Sequence, residues 1–245
     1  SVFPLIHELP TVPEITTALR QFADLRLPIL FDSAAHQSDR LGRYSYLVAD
    51  PWHLEVLERC EYGRDPFEGL RAEWARCQAP VTRSPIGPPF QGGAAGVLSY
   101  ELGSAWEQIP RARHDEFQIP DLVAGMYDWC IAWDHHVGRA WVISQGLPET
   151  DPAARSERAR DRLQFVLNRL NNEPVLPDVG CAVSRGSESD VFGVPVGHQA
   201  VGLLSDFTAD EYLAAVARSV EYIRAGDIFQ VNLSQRLLAR WESSA

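Results

Sequence analysis

The sequence contains no lysine, since all 22 of its basic residues are arginines. Without lysine, this chain has no side chain that forms a Schiff base or acts as a lysine nucleophile. A Walker-type phosphate-binding loop also requires a lysine, so the glycine-rich segment 92–96 is not such a loop. The spacing of its glycines differs from G-x-G-x-x-G as well, and small residues that lead into a strand more often indicate close backbone packing.

Cysteine and histidine are few and scattered. His135 and His136 are adjacent, so on a strand they point to opposite faces and do not chelate together. The four cysteines include no C-x-x-C pair, and no signal peptide is recognisable. We therefore expect them to be buried small hydrophobes in a reducing compartment, and we expect no metal site in this chain. The cysteines are Cys60, Cys77, Cys130 and Cys181.

The sequence also lacks an excess of positive charge and any long apolar run. Its 245 residues carry 33 acidic side chains against 22 basic ones, a formal net charge of −11 at pH 7. Nucleic acids and anionic membranes attract clustered positive charge, so neither is expected as a partner. No apolar run approaches the roughly 20 residues of a membrane span. The composition is that of an ordinary globular protein, which we expect to be cytoplasmic.

Apolar residues at helical spacing predict three helices before residue 171. One is expected after Thr11, which has Glu14 three positions later, as in a capping box. A second is expected to begin at Asp65, and a third covers Asp151–Leu170. Strands are predicted over residues 28–33, 44–50 and 97–100, and a hairpin over 128–134 and 139–144.

The last segment is predicted to contain a well-capped helix followed by a strand. Thr208 and Glu211 have capping-box spacing, and Gly226 stands where a left-handed C-cap belongs. After this helix, residues 229–237 alternate between apolar and polar side chains, which predicts a strand with an amide-rich face. An apolar stripe on the helix is expected to be buried; it consists of Leu213, Val216, Val220 and Ile223.

Four segments, in this order, resemble component I of aminodeoxychorismate synthase and of the related anthranilate synthase. Together they extend from Leu30 to Arg236, nearly the whole chain. The element Tyr127–Trp129 is more similar to the aminodeoxychorismate branch than to the anthranilate branch. The segments are LFDSA with GRYSYLVADP, GGAAGVLSYELG, DLVAGMYDWCIAWDHH and EYIRAGDIFQVNLSQR.

The resemblance implies an α+β fold, with antiparallel β-sheets packed face to face and helices outside. It implies an amino-terminal-like region over residues 1–180, a connection over 181–205 and the start of a chorismate-binding domain over 206–245. The complete enzyme would be a transferase that uses chorismate, Mg²⁺ and ammonia, the last from a glutamine amidotransferase partner, component II. The aminodeoxychorismate product serves 4-aminobenzoate and folate synthesis.

In this family the chorismate pocket, the metal-binding glutamates and a lysine lie in a carboxy-terminal half. We therefore expect no catalytic residue and no metal ligand in this chain, and we expect it to be inactive alone. Two alternatives are a fragment of anthranilate synthase component I and a stand-alone tryptophan-binding regulatory module. A relative that forms salicylate or isochorismate is less similar.

The resemblance also implies part of a site for L-tryptophan. Ser33 matches the serine of the family's leucine–leucine–glutamate–serine element and is expected to hydrogen-bond the ligand's amino or carboxylate group. Leu41, Gly42, Arg43 and Tyr44 are expected to form a second wall, with Arg43 as the carboxylate partner. The alternative of equal weight is that Ser33 only ends a strand and that Arg43 is a solvated charge.

Overall fold

The computed structural model describes residues 4–33, 42–77, 87–111, 115, 117–172, 194–195 and 203–239. The chain divides into two compact units. Unit 1 consists of Ser1–Arg111 with Ile119–Val179, and unit 2 of Ala112–Gln118 with Gly180–Ala245. None of the helices within the described ranges has the length and apolar character that crossing a bilayer requires.

The described part of unit 1 contains two antiparallel sheets. One has the strand order β1-β8-β7-β3-β2 and the other has the order β4-β6-β5. The predicted hairpin is confirmed, because β7 and β8 pair along their whole length. The strands are β1 (Leu5–Glu8), β2 (Ile29–Phe31), β3 (Tyr44–Val48), β4 (His53–Leu57), β5 (Gly93–Leu98), β6 (Leu122–Tyr127), β7 (Trp129–Asp134) and β8 (Arg139–Ser144).

Three α-helices and one 3₁₀-helix accompany these sheets in the described residues: α1 (Ile15–Phe22), α2 (Glu68–Arg76), η1 (Tyr100–Ala105) and α3 (Pro152–Leu170). The predicted helix over 151–170 is confirmed. It begins where expected because the Asp151 side chain accepts hydrogen bonds from the N–H groups of Ala153 and Ala154. Pro152 occupies its first turn, where a missing N–H costs nothing.

The predicted start of the first helix at Thr11 is wrong by three residues. Glu14, not Thr11, is the N-cap, since its carboxylate accepts the backbone N–H groups of Thr16 and Thr17. Hydrogen bonds from Thr16, followed by those from Thr17, lower the pKa of Glu14 to about 2. A glutamate therefore does here what a shorter side chain does at most helix starts.

The two sheets pack face to face, with helices on the outer sides. One face of the five-stranded sheet packs against α1 and α3, and Phe22, Trp129 and Val166 belong to this core. The opposite face packs against Ala95 and Tyr127 of the three-stranded sheet. The outer face of that smaller sheet forms a third cluster with η1 and the residues around α2. The expected α+β architecture is thus present in unit 1.

Unit 2 contains the helix α4 (Ala209–Ala225) and three two-residue strands, β9 (Val194–Pro195), β10 (Leu204–Ser205) and β11 (Leu237–Leu238). The predicted caps of α4 are confirmed. Thr208 and Glu211 form a reciprocal capping box, and Gly226 adopts the left-handed conformation with φ 81°. Most of the predicted connection over 181–205 lies outside the described residues.

Two predictions for this unit are wrong. The α4 stripe is not buried: its four apolar side chains are between 37% and 65% exposed. The strand predicted over 229–237 is reduced to the two residues of β11, which pair with β10. Both have the same physical cause: among the described residues of unit 2, no strand pairs with residues 229–234 and little apolar surface covers the stripe.

Candidate functional site

The ends of β2, β3 and β7 bring the predicted site residues together. β2 pairs with β3 so that Phe31 lies opposite Tyr46, and β3 pairs with β7 so that Tyr44 lies opposite Asp134. Continuing the first register past the end of β2 places Asp32 opposite Ser45 and Ser33 opposite Tyr44. Because side chains alternate between faces, polar groups from three strands line one end of this sheet.

The Ser33 hydroxyl has its hydrogen already engaged. Ser33 Oγ lies 2.7 Å from the main-chain oxygen of Tyr44, and a carbonyl can only accept. A serine hydroxyl has a single hydrogen, so Ser33 offers only lone pairs to a ligand. Of the two roles expected for Ser33, the structure favours accepting from an amino group over donating to a carboxylate.

Arg43 forms a bidentate ion pair with Asp134. Its Nε lies 3.1 and 3.0 Å from the two carboxylate oxygens, and a terminal nitrogen lies 2.7 Å from Oδ2. Burial alone would raise the pKa of Asp134, but hydrogen bonds from Arg43 and from the N–H groups of Val137 and His136 hold it below its ordinary value. Arg43 is therefore a paired cation, and any ligand carboxylate would share it with Asp134.

The other members of the predicted second wall are placed as follows. Gly42 has φ 74°, a left-handed conformation that suits glycine. Tyr44 is half-buried, lies under the Arg43 guanidinium at 4.9 Å and stacks with Tyr46 at 6.1 Å between ring centroids. Leu41 lies outside the described residues. Ser33, Gly42, Arg43 and Tyr44 thus lie at one end of the sheet, as a shared site requires.

Sequence reasoning missed three polar residues of this site, namely Ser45, Asp134 and His135. Ser45 is wholly buried, and its Oγ lies 3.0 Å from Ser33 N, 3.1 Å from Asp32 Oδ1 and 2.7 Å from His135 Nε2. His135 was considered only as a metal ligand. The signal that would have found them is register, since residues 43–45 and 133–135 are cross-strand neighbours.

A second polar cluster lies at the opposite sheet. Asp121 accepts hydrogen bonds from Arg111 at 3.1 and 2.6 Å and from the Cys60 N–H at 2.7 Å. The Arg111 hydrogen bonds, opposed by burial and helped by Cys60, hold the pKa of Asp121 far below its ordinary value. An open cavity of about 380 Å³ lies next to Cys60 and Ser104. The described residues give it no group that identifies a ligand.

No metal centre is present among the described residues. No three His, Cys, Asp or Glu side chains there lie close enough together to hold a metal ion. Three cysteines are free thiols: Cys77 and Cys130 are buried, as expected, whereas Cys60 is only half-buried, and Cys181 lies outside the described residues. At the end of β2 and β3, Asp134 is paired with Arg43 and Asp32 accepts a hydrogen bond from Ser45, and these two carboxylates do not form a set of Mg²⁺ ligands.

Comparison with known proteins gives the family. The model for chorismate binding enzymes matches residues 29–245, which is most of the chain. The chain belongs to this family. The resemblance inferred from the sequence is therefore confirmed at the family level.

The chorismate-binding relatives include both kinds of component I. Anthranilate synthase component 1 of Thermus thermophilus is 37% identical over 177 residues, which cover 71% of this chain and 32% of the relative. Aminodeoxychorismate synthase component 1 of Bacillus subtilis is 29% identical over 210 residues, which cover 82% of this chain and 41% of the relative. The chain thus spans about a third to two fifths of the length of these relatives.

A solved structure has the same fold. Anthranilate synthase component I of Streptococcus pneumoniae superimposes with a TM-score of 0.58 at 22% sequence identity, covering 82% of this chain and 43% of that one. This similarity confirms the α+β fold with antiparallel sheets. At this level of identity it carries no information about the reaction.

Proposed function

We propose that this chain is the amino-terminal portion of a component I enzyme that aminates chorismate with ammonia. The product would be 4-amino-4-deoxychorismate, for 4-aminobenzoate and folate synthesis in the cytoplasm. The observation that carries the proposal is the family match over residues 29–245. The Tyr127–Trp129 element supports the aminodeoxychorismate branch, and relatives of that branch match up to 82% of the chain.

Anthranilate formation is the second candidate. It is favoured by the 37% identity to an anthranilate synthase component 1, against 28–29% for the aminodeoxychorismate relatives. The test uses the complete gene product that contains this chain, with chorismate, ammonium and Mg²⁺. Formation of 4-amino-4-deoxychorismate, detected as 4-aminobenzoate after addition of a lyase, supports the proposal. Formation of anthranilate overturns its specific branch and keeps chorismate amination.

The chain alone is proposed to be catalytically silent. It has no lysine, and its described residues contain no group of metal-ligating side chains. Chorismate, Mg²⁺ and the amidotransferase component II would be engaged by the complete enzyme. The purified 245-residue chain is therefore expected to form no aminated product from chorismate, ammonium and Mg²⁺. Product formation by this chain would contradict the assignment of catalysis to another part of the enzyme.

The site at the end of β2 is proposed to bind L-tryptophan. Ser33 offers an acceptor, and the exposed carboxylate of Asp32 lies beside it, so together they suit an α-ammonium group. Arg43 would share its guanidinium between Asp134 and the ligand carboxylate.

Isothermal titration with L-tryptophan and, in parallel, indole-3-propionate tests this site. Indole-3-propionate lacks the ammonium group, so it is expected not to bind, and Ser33→Ala is expected to weaken tryptophan binding. Equal affinity for the two ligands would contradict the role given to Ser33 and Asp32. Tryptophan binding by a gene product that makes no aminated chorismate would favour the regulatory-module alternative.

A further inference from the structure

Ser45 is a buried hydroxyl at the centre of a polar chain that crosses three strands. A buried hydroxyl without partners is costly, so its hydrogen bonds are a requirement of the fold. Ser45 Oγ has three neighbours: Ser33 N at 3.0 Å, Asp32 Oδ1 at 3.1 Å and His135 Nε2 at 2.7 Å. Ser45 and His135 are 90 positions apart in the sequence.

Counting hydrogens assigns the direction of each bond. The Ser33 amide can only donate, so it occupies one lone pair of Ser45 Oγ. The exposed Asp32 carboxylate can only accept, so it takes the single Ser45 hydrogen. The second lone pair of Ser45 Oγ is then left for His135, whose Nε2 must carry a hydrogen. The hydrogen on His135 Nε2 thus follows from the partners of Ser45.

The chain of bonds holds the two residues that face the ligand. β2 ends at Phe31, so Asp32 and Ser33 lie beyond its ladder pairing with β3. Beyond Phe31, Ser45 Oγ accepts a hydrogen bond from the Ser33 amide and donates one to the Asp32 carboxylate. The Ser33 hydroxyl donates a hydrogen bond to Tyr44 O. The Ser45 side chain therefore fixes the end of β2, where main-chain hydrogen bonds to β3 no longer do so.

We infer that Ser45 and His135 are positioning residues for the ligand site, with His135 donating through Nε2–H to Ser45. Neither residue touches the ligand; they fix Ser33 with its lone pairs outward and Asp32 beside it. The inference rests on the proposed tryptophan site for its functional readout. Its structural content, a hydrogen-bonded chain from His135 through Ser45 to Ser33, is tested without ligand.

Three variants test the chain of bonds. His135→Gln places an amide N–H donor near the position of Nε2 and does not titrate, whereas His135→Leu removes the donor. Ser45→Ala removes the central hydroxyl. The matched control is Ser144→Ala, because Ser144 is equally buried in the same sheet and its hydroxyl has no hydrogen-bond partner among the described residues.

The ligand-free readouts are amide hydrogen exchange at Ser33 and ¹⁵N NMR of the His135 ring. We expect a hydrogen on Nε2 of His135 in the wild-type chain, and faster Ser33 exchange in Ser45→Ala and His135→Leu. His135→Gln and Ser144→Ala are expected to exchange at the wild-type rate. An Nδ1–H tautomer, or unchanged Ser33 exchange in Ser45→Ala, would overturn the inference.

The ligand readout is tryptophan affinity by isothermal titration. A net hydrogen bond of about 1 kcal/mol corresponds to about fivefold in affinity, so Ser45→Ala and His135→Leu are expected to bind about fivefold more weakly. His135→Gln is expected within about twofold of wild type. Wild-type affinity in all three variants overturns the positioning role. If the wild-type chain does not bind tryptophan, the proposed site fails, and exchange at Ser33 still decides whether Ser45 and His135 fix the end of β2.

Discussion

Asp128 Oδ1 lies 3.3 Å from Arg162 Nε, although the Asp128 side chain has no exposed surface. Its other oxygen lies 3.3 Å from Nε of Arg158, one turn earlier on α3. Asp128 immediately precedes β7, and Arg162 also bonds Asp50 next to β3. This pair of arginines therefore fixes α3 to the strand ends of the larger sheet by charge as well as by apolar packing.

Removing Asp128 should cost considerable stability. Asp128→Asn leaves the partly buried Arg158 guanidinium without a counter-charge and leaves Arg162 with Asp50 alone. We expect the free energy of unfolding to fall by about 3 kcal/mol. The matched control is Asp50→Asn, because Asp50 bonds the same Arg162 but is 40% exposed. Its loss is expected to be below about 1 kcal/mol. Urea unfolding followed by circular dichroism measures both; equal losses would show that burial of Asp128 is unimportant.

The Asp121–Arg111 pair predicts a pH-dependent contribution to stability. Its hydrogen bonds lower the pKa of Asp121 below the unfolded value of about 3.9, so the contribution is present above that pH and is lost as pH falls toward the folded pKa. The gap in unfolding free energy between wild type and Asp121→Asn should be full at pH 7 and should narrow below about pH 4. Urea unfolding at pH 7, 5 and 3.5 checks this, and a gap independent of pH would contradict it.

Two glycines with the same left-handed backbone conformation distinguish the cost of that conformation from the cost of a steric clash. Gly146 and Gly138 have φ of +66° and +65°, but a Cβ on Gly146 would collide with the main-chain oxygen of Arg155, whereas one on Gly138 meets nothing within 4 Å. Gly138→Ala should therefore cost about 1 kcal/mol from the left-handed conformation alone. Gly146→Ala should cost at least about 2 kcal/mol more. Thermal and urea unfolding of the two variants, side by side, decide whether the collision matters.

Because the apolar stripe of α4 is exposed, we expect the chain to tolerate shortening of its side chains. Leu213 is 65% exposed, so Leu213→Ala should change the unfolding free energy of this chain by less than about 0.5 kcal/mol. Val166 of α3 is wholly buried, and Val166→Ala should cost about 2 kcal/mol. Circular dichroism during urea unfolding compares them. A large loss in Leu213→Ala would mean that α4 is covered in this chain.

Local patterns in the sequence predicted the elements whose stability is local. The 129–144 hairpin follows from alternation and α3 from apolar residues at helical spacing, both readable within a few residues. β6 was missed because it is covered on both sides and therefore shows no alternation. β4, which pairs with it, was missed as well. The strand over 229–237 was overpredicted, because an alternating segment becomes a strand only where a partner lies beside it.

The residues of the candidate site also divide into those that were predicted and those that were missed. The family resemblance placed Ser33, Arg43 and Tyr44 in one site, and the structure brings them to one sheet end. Ser45 and His135 were not connected, because their contact depends on a register between strands 90 positions apart. Which nitrogen of His135 carries hydrogen requires knowing all three neighbours of Ser45, and no local pattern contains that information.

The order of strands in the larger sheet also determines when it can form during synthesis. β1 lies at the edge beside β8, and Glu8 bonds Arg139, 131 positions later in the chain. At roughly 5–20 residues per second, the ribosome needs on the order of ten seconds to make the intervening chain. Through that interval β1 has no partner strand, and β3 has only β2. The unpaired edge of the nascent β1 therefore stays exposed until the hairpin of β7 and β8 has been made, and only then can the larger sheet close.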